Sequence, residues 1–386
     1  MQADFHYYAA YCAAYLAGFS HEESLDIAYS NQFVDCCSRT YLKMIKAPLA
    51  GATTQLQLEM MDMRTDMLGL QDITRIWSSF HFLPYDLYAK KKGCSRAYLR
   101  KYRLICNSNG ALVRDIVELS KGSNLQAIGI AMHTLSDTWA HKYFAGTPSF
   151  VINSMNYHLY ELFDEDGSEN QRKIEFIHAL GVIDDVEKGK YTASVAQPSE
   201  NAIMNLGHGR AGHLPDYSFI RYKYLPAWGD YDEITKDNPE DYYKAFSQMV
   251  YALKYIRGEN DVFELDTYDT QSVLPHKVRI MDILTKRRLT AWEDWKAFGE
   301  ELSGRTIEDF DIYKYQNEYM AAKKEDKKDT FLGLFIVAAM KQKNLVTERI
   351  YESGSKIAGY PGKYTNVIYK KIFAFIKKCF NRQEDI

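Results

Sequence analysis

Three side chains able to bind a metal recur at four-residue intervals in Gly129-Ile-Ala-Met-His133-Thr-Leu-Ser-Asp137-Thr-Trp-Ala-His141. On an α-helix turning about 100° per residue, the three span roughly 80° of one face. Two imidazoles and a carboxylate then meet in one cleft, a ligand set that Zn²⁺ favours. Ile128, Ile130, Leu135 and Trp139 make that helix apolar around much of its perimeter. Unpaired His and Asp are costly there, and a cation is one partner that offsets the cost. Hydrogen bonding within a helical core is the other.

Further candidates lie along the same half of the chain. Asp4 and His6 precede an apolar helix beginning near Tyr7, and Asp35 ends the helical stretch Ser24–Val34. His81 sits in Ser79-Phe-His-Phe-Leu-Pro84, among aromatic residues. Gly207-His208-Gly-Arg-Ala-Gly-His213-Leu-Pro-Asp216 packs two His and an Asp among glycines. Only His276 of the ten histidines falls beyond residue 213, so the chemistry is expected in the first part.

Helices must position these residues. Long segments poor in Pro and Gly carry apolar residues at three- and four-residue spacing, as in Leu112–Leu119 and Tyr242–Tyr255. Alternating Val/Ile/Thr runs bounded by turns are scarce, which predicts an all-α, multi-helical bundle. A boundary is expected just after Asp216, giving a metal-binding domain over 1–216 and a helical region over 217–386. Aromatic segments such as Tyr217–Trp228 read either as a substrate channel or as a Tyr-rich helical core.

The chain has 48 Lys+Arg against 51 Asp+Glu, which excludes a globally basic nucleic-acid binder. Residues 341–386 depart from this balance. From Lys363 to Arg382, Lys370, Lys371, Lys377 and Lys378 interleave with Ile368, Ile372, Phe373, Phe375, Ile376 and Phe380. A basic amphipathic helix of this kind suits peripheral contact with a membrane surface, a partner's groove, or docking on its own core. No run of about 18 apolar residues offers a spanning helix. The six cysteines show no CxxC pair, no basic n-region leads the chain, and a cytoplasmic protein is expected. HExxH, GxxxxGK[ST], GxSxG and GxGxxG are all absent.

Taken together, His6, Asp35, His81, His133-xxx-Asp137-xxx-His141 and His208, followed by an acidic residue, resemble the zinc-dependent phospholipase C and P1-type nuclease superfamily. The resemblance covers about residues 1–216. It extends to a bacterial group whose members begin with a similar Asp-Phe-His-Tyr-Tyr segment. It implies an all-helical enzyme with two or three zinc ions, other divalent metals being alternatives. Asp35, His81, His133 and Asp137 would serve one metal, with Asp137 bridging to a second held with His6. His141 and His208 would hold the third, completed by Asp216 or His213. Secreted members use their processed N-terminal residue as a ligand. An intact Met1 is poorly suited to that, so Asp4 is expected to stand in. The His133–Asp137–His141 spacing is shorter than usual, a helical segment at about 150–188 is inserted, and position 212 is Gly where an acidic residue is usual.

The chemistry expected is hydrolysis of a phosphodiester, in a phospholipid or a nucleic acid, with a water activated at clustered metal ions. Asp35 is the candidate base as well as a ligand, and Arg210 a candidate contact to phosphate oxygens. Ser136, Glu161 and Asp164 are candidates for orienting the ligand imidazoles. The competing reading is a non-enzymatic helical module that metal ions stabilise and whose tail binds a membrane or protein partner.

Overall fold

The computed structural model describes residues 1–63, 66–155, 158–165, 167–177, 182–193 and 205–362. The basic amphipathic segment from Lys363 onward, and His178, lie outside them.

A six-residue π-helix, Asp4–Ala9, runs directly into α1, Ala10–Leu16. Helix α2, His21–Phe33, starts on a capping box: Ser20 Oγ accepts from Glu23 N at 3.2 Å and Glu23 Oε2 accepts from Ser20 N at 2.8 Å. Helices α3, Gln57–Met63, and α4, Met67–Phe80, follow, with Asp66 capping α4 through Gly69 N. The ligand ladder lies on α5, Leu125–Ala140, which begins at the Asn124 cap. Later come α6, Asn238–Ile256, α7, Trp292–Ser303, and α8, Phe331–Glu352.

Helices α2 and α5 pack tightly against each other. Their contact passes over Gly129, where a Cβ would lie 2.5 Å from Ile27 O and 2.6 Å from Ser30 Cβ. Only a residue without a side chain lets the backbones approach so far. The largest apolar core extends from Met1 to Ala358, so it takes side chains from both sides of residue 216.

The fold is mixed α/β, not all-α. Strands β1, Tyr160–Glu165, β2, Ser168–Lys173, β5, Arg221–Tyr224, and β6, Ile234–Asp237, form an antiparallel sheet in the order β2-β1-β5-β6. A parallel pair, β3, Phe176–Ile177, and β4, Tyr191–Thr192, lies between β2 and β5 in the chain. The segment expected as a helical insertion at about 150–188 therefore supplies strands, and Tyr217–Trp228 includes β5 instead of a helix. β2 reads Ser-Glu-Asn-Gln-Arg-Lys and is mainly exposed, so no β-branched alternation marks it. The missed signal is in the sequence: the dipeptide at 166–167 is Asp-Gly, a composition common in hairpin connections, between the paired residues Glu165 and Ser168. On β5, Tyr222 and Tyr224 face inward and alternate with Arg221 and Lys223. Buried Glu161 locks the sheet, accepting from Arg172 Nε at 2.7 Å and Tyr191 OH at 2.9 Å and pairing with Arg287. Among the described residues, no helix is long and apolar enough to cross a membrane.

Candidate metal centre

Asp137 is the hub of a buried cluster. Its Oδ2 lies 3.3 Å from His81 Nδ1 and 3.2 Å from His133 Nε2. Its Oδ1 lies 3.2 Å from His6 Nε2 and accepts from the Met1 α-nitrogen at 2.9 Å. Asp35, just past the end of α2, puts Oδ1 3.7 Å from both His81 Nδ1 and His133 Nε2, and Oδ2 4.0 Å from His6 Nε2. A second cluster adjoins the first. His141 Nε2 is 3.4 Å from Asp216 Oδ1, and His208 Nε2 is 3.7 Å from Asp216 Oδ2. Met1 N joins the two clusters, 3.2 Å from His141 Nε2 and 3.3 Å from Asp216 Oδ1.

Three donor groups result, each with its ligand atoms within 4.8 Å of one another: His6/His133/Asp137, Asp35/His81/His133 and His141/His208/Asp216. The ring orientations suit metal ligation. His81 Nε2 donates to Thr53 O at 3.0 Å, His141 Nδ1 to His81 O at 2.7 Å, and His208 Nδ1 to Gly212 O at 2.9 Å. A carbonyl only accepts, so each of these nitrogens carries the proton and the other one faces the cluster with a lone pair. His6 Nε2 is buried with no hydrogen bond. Histidine and carboxylate donors of this kind could hold a divalent cation.

Electrostatics point the same way. Burial pushes the His6, His133 and His141 imidazoles down to about 4, which keeps them neutral near pH 7. Burial alone would raise Asp137, but His141, the Met1 ammonium, His133 and His6 outweigh it and hold the carboxyl well below its usual range. Asp216 is lowered in the same way, burial being overcome by His208, the Met1 ammonium, His141 and His213. Burial raises Asp35, the most exposed member of the first cluster at 33%.

Neighbouring elements hold these groups. The π-helix carries His6, and wider turns of this kind recur at functional sites. Asn238 Nδ2, at the start of α6, donates to Leu214 O and Tyr217 O at 2.8 Å each, and Tyr242 OH donates to Pro215 O at 3.1 Å. These bonds fix the turn that presents Asp216. Gly212 has φ +56, and a Cβ there would fall 2.0 Å from Thr192 O on β4. The parallel strand pair thus closes against the His208–Asp216 turn. From behind, α8 sends Gln342 Nε2 to Ser79 O at 2.9 Å and Thr134 Oγ1 at 2.8 Å, and Lys343 Nζ to Ala52 O at 2.8 Å.

Several expected residues lie elsewhere. Asp4 does not stand in for an N-terminal ligand: its Oδ1 accepts from Phe5 N and its Oδ2 from Ala291 N, both at 2.7 Å. The Met1 α-nitrogen lies instead between Asp137, His141 and Asp216. His213 stands on the rim, 59% exposed, with Nδ1 3.5 Å from Asp216 Oδ2, and is outside the three donor groups. Arg210 stacks its guanidinium over the Phe150 ring at 5.0 Å and reaches Asn205 Oδ1 at 3.4 Å. Ser136 Oγ donates to His133 O, Glu161 belongs to the sheet, and Asp164 pairs with Arg221. Backbone carbonyls orient the imidazoles instead. Thr53, Gln342 and Lys343 were illegible as site residues, because sequence gives no sign of which backbone carbonyl or distant helix meets a histidine.

The family model described as "Family of unknown function (DUF6765)" matches residues 1–350. The chain belongs to DUF6765. No curated protein and no solved structure matches it. The part of the chain that matches DUF6765 takes in every donor named above, the sheet and almost all of α8.

Proposed function

We propose that the protein is a metal-dependent phosphodiester hydrolase, with two or three zinc ions held in the His/Asp clusters. The single observation that carries this reading is Asp137, whose two oxygens face two different donor groups while Asp35 adjoins both. A carboxylate shared in this way, with neutral imidazoles around it, suits closely spaced cations better than one structural ion. Bound there, divalent cations supply Lewis-acid polarisation of phosphoryl oxygens and acidify a water for attack at phosphorus.

The chain's own residues divide the remaining work. His6, His133 and His141 keep their lone pairs because burial holds them neutral. Thr53 O, His81 O and Gly212 O hold three rings against rotation. Asp35 accepts the proton of the attacking water, its exposed edge giving it access and its raised pKa suiting it as a base. A P–O bond forms to that water as the ester P–O bond breaks, and the departing oxygen takes a proton from solvent. Asp35, His208 and His213 mark the solvent side through which a phospholipid or nucleic-acid phosphodiester would enter.

The test is metal content together with hydrolysis of bis(p-nitrophenyl) phosphate, phosphatidylcholine and single-stranded DNA, for wild type and Asp35→Asn. The reading expects metal above one equivalent and turnover that falls at least about 100-fold in the variant, in line with loss of a general base. Stoichiometric metal with no turnover on any of the three substrates would leave the ions a structural role and refute the enzyme.

A further inference from the structure

An apolar groove of about 780 Å³ lies between the first half of α4, the 147–150 turn and the 356–360 segment. Met67, Leu68, Leu70, Phe150, Ile357 and Tyr360 line it. Two of these project strongly, Met67 at 71% and Leu68 at 72% exposed, and Phe150 is half exposed. Leu56, Leu58 and Met61, on and beside the adjoining α3, are exposed as well. Scattered exposed apolar residues are ordinary, but a run of them beside a groove marks a binding surface.

Charge decides what would bind. The charged residues lining the groove are Arg100, Lys101 and Lys356, with no carboxylate among them. Arg100 is exposed on the short helix Arg96–Tyr102, while Lys101 Nζ donates to Pro148 O at 3.1 Å. The chain continues from Tyr360 into 363–382, whose Lys370, Lys371, Lys377 and Lys378 alternate with Ile and Phe. A surface that is apolar inside and anionic at its edge matches both the groove's apolar lining and its basic edge. That is the chemistry of a bilayer containing acidic phospholipid.

We infer that this face docks on an anionic lipid bilayer, with Met67, Leu68 and Phe150 entering the acyl boundary and Arg100, Lys101 and Lys356 meeting the headgroups. α4 joins this face to the metal centre. Leu70 on the groove and His81 at the helix end are separated by roughly 16 Å at 1.5 Å per residue. A docked membrane would thus lie beside the cluster without filling it. The inference concerns binding alone and holds whichever phosphodiester is hydrolysed.

The experiment is flotation of the full-length, metal-loaded protein with vesicles of phosphatidylcholine alone and with vesicles containing phosphatidylglycerol. The expected result is binding to the acidic vesicles, weakened by raising salt from about 0.1 M to about 0.5 M. Met67→Ser/Leu68→Ser/Phe150→Ser should lower the affinity about tenfold or more, because each loses apolar surface from the interface. Arg100→Glu/Lys356→Glu should abolish the preference for acidic lipid. All five side chains are at least partly exposed, and circular dichroism with metal content checks that the variants fold. Ile372→Ser/Phe373→Ser/Ile376→Ser, in the full chain, tests the tail. If tail substitution abolishes vesicle binding while the groove variants still bind, the tail carries the binding and the inference fails. Equal affinity for the groove variants and wild type, or no vesicle binding by wild type, overturns it too. So does a wild-type dimer by light scattering that the groove substitutions convert to monomer, since a second copy would then be the occupant.

Discussion

Replacing Asp137 with Asn keeps the side chain's shape and removes the charge that the two donor groups share. Oδ2 faces His81 and His133, and Oδ1 faces His6 and the Met1 α-nitrogen. Asp137 belongs to His6/His133/Asp137, and its Oδ2 also faces the two imidazoles of Asp35/His81/His133, so on the proposed reading one substitution should empty two sites, while His141/His208/Asp216 keeps its full donor set. Asp216→Asn should do the converse and cost one ion. A site held at about 1,000 times its Kd stabilises the folded state by about 4 kcal/mol, so losing two removes about 8 kcal/mol. At about 2.1 cal/mol/K of unfolding entropy per residue, a chain of 386 residues loses roughly 10 °C of Tm. Asn also leaves the buried Met1 ammonium without its nearest carboxylate, which destabilises the metal-free form. The informative quantity is therefore the difference between the zinc-loaded and EDTA-treated Tm of each variant, read with zinc per chain by mass spectrometry. Asp137→Asn losing no more zinc than Asp216→Asn would falsify the shared-carboxylate geometry.

In the metal-free protein, His6, His133 and His141 sit near 4 when folded against 6.5 when unfolded. The unfolded chain binds more protons between those values, so stability should fall as pH drops from about 6.5 to about 4. Asp137 and Asp216, lowered on folding, act in the same direction. A urea midpoint that rises on acidification in EDTA contradicts this. Lys343→Met removes the donor to Ala52 O, next to the Thr53 carbonyl that orients His81, and should weaken zinc affinity about 10- to 100-fold with the helical signal unchanged. Competition against a zinc-sensitive dye measures it, and wild-type affinity would remove α8 from the support of the site. Gly129→Ala forces α2 and α5 apart, since its Cβ would meet Ile27 O at 2.5 Å, and should cost about 1–3 kcal/mol in chemical denaturation. An unchanged midpoint would mean that the helix pair yields without strain. Glu161→Gln leaves Arg172 and Arg287 without their shared buried carboxylate and should destabilise by about 3 kcal/mol or more. Faster amide exchange in β1, β2 and β5, with α5 protected, is the expected signature.

Much of the donor set was legible because its spacing is local. Positions 133, 137 and 141 share a face of any helix, and α5 is a helix through 140 with His141 as its cap. His6, Asp35, His81, His208 and Asp216 were picked out by residue type and order, and they all converge on that face. Asp4 looks the same in sequence whether it faces a site or, as here, accepts the backbone amides of Phe5 and Ala291. His213 and Asp216 could not be separated by sequence, being three residues apart on one turn. The sheet escaped notice for a different reason. β2 is wholly polar and β1 is mixed, neither shows a β-branched alternation, and across the pair Arg172 reaches the buried Glu161.

What the sequence determined by itself is the helical period and the kinds of atom available: imidazole and carboxylate at positions one or two turns apart. Those are properties of near neighbours, and near neighbours along a chain have few ways to be arranged. Which oxygen of Asp137 meets which ring, which carbonyl orients each imidazole, and where the Met1 nitrogen lies were decided only in three dimensions. Such contacts join residues as far apart as Ala52 and Lys343, or Asp4 and Ala291. They depend on how closely helices approach, as over Gly129, and no local pattern encodes that distance.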